Sequence, residues 1–189
     1  MRLPLVDPVL MTDAQRSLFD DITAGIPDRF NLFERADPKT GALIGPWNAW
    51  MHEPGMGAGM WALSKAVASA SELPPRAREV AILTVGAHFN AAYEIYAHTA
   101  IAGSLGMSPE RLSALCAGTR PADLDAAEAA AFDCANALVK GGPLPEPCYR
   151  QAVATFGQHG ANQLFYLIAL YCAVAVLLNA YDTPAPKAA

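Results

Sequence analysis

From Leu164 to Leu178 the chain carries fifteen consecutive apolar residues, bounded by Asn162 and Gln163 before and Asn179 after. As a helix, that run reaches about 22 Å and has no polar stripe on any face. Such a helix must be covered all round, by lipid or by protein. A membrane span needs roughly 20 residues. This run is shorter, contains Tyr166, Tyr171 and Cys172, and lacks basic flanks. It therefore reads as a buried core helix of a soluble protein with no membrane role. Composition adds a further expectation: 53% of residues are hydrophobic and 16% charged, against a usual charged share of about 25%. A surface so poor in charge should lie partly between the subunits of a homo-oligomer.

The rest of the chain carries almost no strand signal. Apolar residues recur at the helical period, alanine is abundant, and β-branched runs are short. Thr12 with Gln15 forms a capping-box start for a helix over roughly 13–24. A loop-rich stretch from Gly25 to Gly59 follows, with Pro27, Pro38, Pro46 and Pro54 and the aromatics Phe30, Phe33, Trp47 and Trp50. Long loops in compact domains often act as lids or binding segments, and a short helix near 43–51 is expected within this one. Further helices are expected at about 60–71, from Pro75 to Phe89, and from Ala91 to Leu105 with Asn90 as N-cap. Shorter ones follow at Ser108–Ala117 and from Asp125 to the Gly141-Gly142-Pro143 break, and the last two at about 146–156 and 160–181. The expectation is one all-α helical-bundle domain over residues 1–189, with its core at about 40–185 and an N-terminal helix and loop over 1–40.

A net charge of −5 offers no electrostatic footprint for nucleic acid. The N-terminal Met1-Arg-Leu-Pro-Leu-Val-Asp-Pro has an acid and prolines where an export signal needs an apolar stretch, so a cytoplasmic location is expected. Cys116, Cys134, Cys148 and Cys172 form no C-x-x-C pair and no metal-ligand spacing; they read as small buried apolar residues.

The chemistry-bearing segment runs from Arg78 to His98. Glu94 and His98 are four apart and share a helix face. Glu79 lies on the preceding helix, which must double back past Asn90. Three ionisable groups can thus converge inside an apolar helix hairpin. Burial raises carboxylate pKa values and lowers that of histidine, bringing both toward the range of a general acid/base pair. An i,i+4 Glu–His pair is also a common surface feature, so context decides. Between Ala81 and Ser108 the other ionisable side chains are His88, Tyr93 and Tyr96, which is sparse enough to mark the group. No pair among His88, His98, Glu79 and Glu94 has a standard chelating spacing, so no metal is expected. Trp47, Trp50 and Trp61 either roof a pocket or pack the core. Gly55-x-Gly57-x-Gly59 follows no strand and is not a dinucleotide loop.

Arg78-Glu79-Val-Ala-Ile-Leu, then Tyr93-Glu94-x-x-x-His98, then Gly106-Met-Ser resembles the carboxymuconolactone decarboxylase family, which includes the alkylhydroperoxidase D-like proteins. The similarity extends to Gly45-Pro46-Trp47 and His52-Glu53-Pro54 upstream and to Leu177-Leu-Asn179-Ala-Tyr181 downstream. It implies an all-α bundle assembled as trimers or hexamers. The family's redox branch carries C-x-x-C-x-x-x-H. Aligned on His98, those cysteine positions fall at Ala91 and Glu94, so the resemblance points to the branch without thiol redox chemistry and disfavours a peroxidase.

What the resemblance implies is a cofactor-independent carboxy-lyase acting on a small carboxylated lactone of the 4-carboxymuconolactone type, as used in aromatic catabolism. His98 is then the proton donor to carbon, Glu94 orients it or shares the proton, and Glu79 fixes the geometry or relays protons. Arg76 or Arg78 holds a substrate carboxylate, with Tyr93, Tyr96, His88 and Trp47 as further binding candidates. His88 and Tyr96 depart from the family pattern. The alternatives are a related lactone isomerase or hydrolase with a retuned pocket, and a catalytically silent ligand-binding or scaffold protein on the same bundle.

Overall fold

A computed structural model describes residues 1–26, 31–69 and 72–186. Among them the regular elements are α-helices: α1 Asp13–Gly25, α2 Pro46–His52, α3 Pro54–Ser69, α4 Pro75–Phe89, α5 Ala92–Ser104, α6 Pro109–Cys116, α7 Ala126–Leu138 and α8 Glu146–Ala180. A 3-10 turn at Pro8–Leu10 and an isolated bridge between Ala36 and Leu43 complete the inventory. Pro27, Phe30 and the expected helix end at Ser71 lie outside the described residues.

Local chemistry sets most boundaries. Thr12 and Asp125 each close a capping box, with Gln15 and Glu128 respectively. Proline occupies the first turn of α2, α4, α6 and α8, where its missing N–H costs nothing. The last helix is broken at Gly157, whose φ of 68° lies in the left-handed region, so the two helices expected there are present end to end.

α3 corrects the sequence reading. It begins at Pro54, and Gly55, Gly57 and Gly59 are helical rather than part of a loop. Gly57 is there for closeness: a Cβ would lie 2.4 Å from the Trp50 carbonyl oxygen and 2.9 Å from Leu18 Cδ2. α3 can therefore press directly on α2 and α1.

α4 is the central helix. Every residue from Glu79 to Gly86 is buried, and α5, α7 and α8 pack around it. Each large aliphatic side chain so covered contributes about 1.5–3 kcal/mol. An ion cluster ties down the start of α4: the buried Glu128 of α7 pairs with Arg76 at 2.7 Å and accepts from Arg111 Nη1 of α6 at 3.0 Å.

By length and composition α8 could cross a membrane, but one face carries Leu164, Leu167, Ile168 and Leu178 into the core. The opposite face is open on the single chain, with Tyr166 64% and Val176 51% exposed.

Candidate active site

The hairpin of α4 and α5 builds the site. Asn90 does not cap α5 as expected. It ends α4 in the left-handed conformation (φ 50°, ψ 41°), and Ala91 precedes α5 without a side-chain cap. Asparagine is among the few residues that enter this region readily. Asn179 of α8 donates to the Phe89 carbonyl, fixing the end of α4. The reversal takes two residues and brings the two helices side by side.

Across this hairpin His98 Nδ1 donates to Glu79 Oε2 at 2.7 Å, and both side chains are buried. A carboxylate oxygen can only accept, so Nδ1 carries the proton. Nε2 is the other ring nitrogen, and His98 is among the residues lining the neighbouring cavity. Tyr171 of α8 meets the imidazole edge to face at 4.9 Å. The histidine is held on two sides.

Glu94 lies one turn before His98, but it is not seen holding the histidine. Both of its carboxyl oxygens are buried without a hydrogen-bond partner. It faces back to α4, where a Cβ on Gly86 would come within 3.3 Å of Oε1. Burial pushes its carboxyl well above the usual carboxylate range, because ionisation there would go uncompensated.

Glu94 and His98 share a cavity of about 80 Å³ between α2, α3, α5 and α8. Its walls include Trp47, Trp50, Trp61, Arg78, Tyr93 and Tyr171. Arg78 reaches it from α4, its Nη2 donating to the Val67 carbonyl at 3.0 Å. Phe33 stacks on Trp47 and meets Tyr93 edge-on, with centroids 6.3 Å apart in each case. The Tyr93 hydroxyl donates to the Glu34 carbonyl at 2.7 Å, and burial raises that phenol far above its ordinary value. Tyr93 is thus a fixed wall.

Three sequence candidates lie elsewhere. Arg76 turns away from the cavity into the ion pair with Glu128, whose charge draws it. Tyr96 accepts from the Glu34 N–H at 3.2 Å and clamps the preceding loop. His88 is exposed near the end of α4, its ring against Phe89. Conversely, Tyr171 was not singled out in the sequence; a hydroxyl interrupting an otherwise aliphatic run was the available signal.

The four cysteines are free. Only Cys134 is fully buried, the others being partly exposed, against the expectation that all are buried. Burial pushes the Cys134 thiol up to about 12 and raises that of Cys172, which disfavours the thiolate that redox chemistry needs. Among the described residues no group of three or more His, Cys, Asp and Glu side chains is arranged to hold a metal.

Residues 54–137, from the start of α3 to near the end of α7, match the model of the carboxymuconolactone decarboxylase family. Through this segment the chain is similar to that family. The match includes the α4–α5 hairpin with Glu79, Glu94 and His98, and it stops short of Gly45-Pro46-Trp47 upstream and Leu177-Leu-Asn179-Ala-Tyr181 downstream. In three dimensions the chain is similar to the debrominase Bmp8 in a cysteine-to-alanine variant bound to 2,3,4-tribromopyrrole. That likeness covers 98% of this chain and 93% of the other, with a TM-score of 0.71 and 15% identity. Apo Bmp8 gives a TM-score of 0.65 at 15% identity, over 85% of this chain and 87% of the other. At such identity the likeness is one of fold. No curated protein matches the chain in sequence.

Proposed function

We propose that this protein is a cofactor-independent acid/base enzyme that removes CO2 from a small carboxylated lactone of the 4-carboxymuconolactone type. The observation that carries the reading is the pairing of His98 with Glu79 beside a buried, protonation-favouring Glu94 carboxyl, all at one small apolar cavity. Similarity to the family supports the reaction class.

In the proposed reaction a substrate carboxylate is held by Arg78. The bond from the ring to the departing carboxylate breaks, CO2 leaves, and the electron pair moves through the ring double bond onto the carbonyl oxygen. His98 Nε2 then delivers a proton to a ring carbon, while Glu79 keeps the ring oriented and stabilises it when charged. The Glu94 carboxyl is placed to donate a hydrogen bond to the oxyanion. Each CO2 released consumes one proton, which the enzyme regains from water. A dry, pre-oriented site strengthens each of these interactions. General acid catalysis of this kind contributes roughly 10²–10⁴-fold.

The test follows the ring absorbance of 4-carboxymuconolactone mixed with wild type and with His98→Ala. Turnover by the wild type that collapses in the variant is expected. A folded wild type that leaves the lactone intact would overturn the assignment of this substrate. The same reading makes the protein a homo-oligomer of three or six copies that cover the open face of α8; light scattering of a monomer at micromolar concentration would refute that part.

A further inference from the structure

Among the described residues, five buried side-chain N or O atoms have no hydrogen-bond partner, and four of them belong to residues lining the His98 cavity. Two are the Glu94 oxygens discussed above. The other two are the indole Nε1 atoms of Trp50 and Trp61. Buried tryptophan N–H groups usually find an acceptor, and a donor left without one carries its full desolvation penalty. Two such donors beside one cavity call for an occupant that supplies acceptors.

Both tryptophans are closely packed where they meet neighbouring helices. A Cβ on Gly25 would lie 2.8 Å from Trp61 Cζ2, and one on Gly57 would lie 2.7 Å from Trp50 Cβ. α1 thus presses on the Trp61 ring, and α3 on the Cβ and backbone of Trp50. Lys65, paired with Asp21 at 2.8 Å, covers the Trp61 ring from 5.6 Å.

We infer that Trp50 and Trp61 are the specificity-determining residues of the cavity, selecting acids whose ring bears acceptor oxygens and donating Nε1–H to those oxygens while Arg78 takes the carboxylate. The inference rests on the acid-binding reading above and adds how the ring is read. A site built to hydrogen-bond an acceptor discriminates strongly against the analogue that lacks it. A purely apolar wall would not separate the two.

The test compares two unreactive acids of similar shape by titration calorimetry: 5-oxotetrahydrofuran-2-carboxylate, a lactone acid, and cyclopentanecarboxylate, its carbocyclic counterpart. Wild type is expected to bind the lactone acid at least tenfold more tightly. Trp50→Phe and Trp61→Phe should each narrow that ratio chiefly by weakening the lactone acid. Should either variant fail to fold, benzothienylalanine at the same position keeps the two-ring shape and deletes only the N–H. Equal binding of both acids by wild type overturns the inference and leaves the acid-binding reading standing. A ratio that survives loss of both N–H groups also overturns it. If neither acid binds, both the inference and the acid-binding reading fall.

Discussion

Replacing Glu94 by glutamine isolates the energetic consequence of burying a carboxyl without a partner. Glu94 is 3% exposed, both oxygens lack hydrogen bonds, and desolvation alone raises its pKa. The folded protein therefore holds a proton that the unfolded chain releases. Below the ordinary glutamate value of 4.5 both states are protonated and the burial is cheap. As pH rises above that value, the unfolded chain ionises and gains stability while the folded one cannot follow. Each pH unit then costs up to about tenfold in the folding constant, until the folded carboxyl itself titrates. Glutamine has the same shape and does not ionise, so Glu94→Gln removes this slope. Urea denaturation followed by circular dichroism, at unit steps from pH 4 to 7, gives the difference between wild type and variant directly. The two should converge at pH 4 and separate steadily above it, with the variant the more stable. A difference that stays constant across this range, or a wild type that gains on the variant as pH rises, would refute the account of Glu94 as a carboxyl kept neutral by burial.

Two further substitutions probe the site's construction. Glu79→Gln keeps an acceptor for His98 Nδ1–H but removes the charge that stabilises the imidazolium, so kcat on the lactone should fall about a hundredfold with KM changed only a few-fold; an unchanged kcat in steady-state assays would exclude Glu79 from the reaction. Gly45→Ala places a side chain at φ 66° with its Cβ 2.3 Å from the Tyr93 ring, so thermal denaturation should show a loss of about 2 kcal/mol or more, and an unperturbed melting curve would mean that the loop before α2 yields freely.

Much of this architecture could be read from local chemistry. The capping boxes at Thr12 and Asp125, the prolines in first turns and the break near Gly157 are each decided by a few neighbouring residues, and the helices start and stop where those residues dictate. The α4–α5 hairpin was legible because two apolar helices flank a single polar reversal. What escaped was every choice made by a third element. Spacing alone puts Glu94 and His98 on one face, yet the imidazole turns to Glu79 on the neighbouring helix, which periodicity within α5 cannot foretell. Arg76 and Arg78 are two residues apart and equivalent as cations; Glu128, distant in sequence, claims the first and leaves the second at the cavity. Asn90 fits an N-cap by residue type and an αL C-cap equally well, and the tightness of the reversal selects the latter. The glycines of α3 signal a loop by composition, yet they are helical, with Gly57 pressed against Trp50 and Gly55 and Gly59 facing open space.

The short reversal at Asn90 has a bearing on how such a protein can change over time. Glu79, Glu94 and His98 all belong to one continuous stretch of about twenty residues, folded on itself and enclosed within the family-matching segment. Trp47 and Trp50, together with Tyr171, come from outside that segment, on α2 and α8. The three residues proposed to handle the proton thus sit in one block of sequence, while part of the cavity wall is drawn from the flanks. Substitutions in those flanks would reshape the cavity while leaving the Glu79–His98 pair untouched, a division of labour that would let such a scaffold take new occupants.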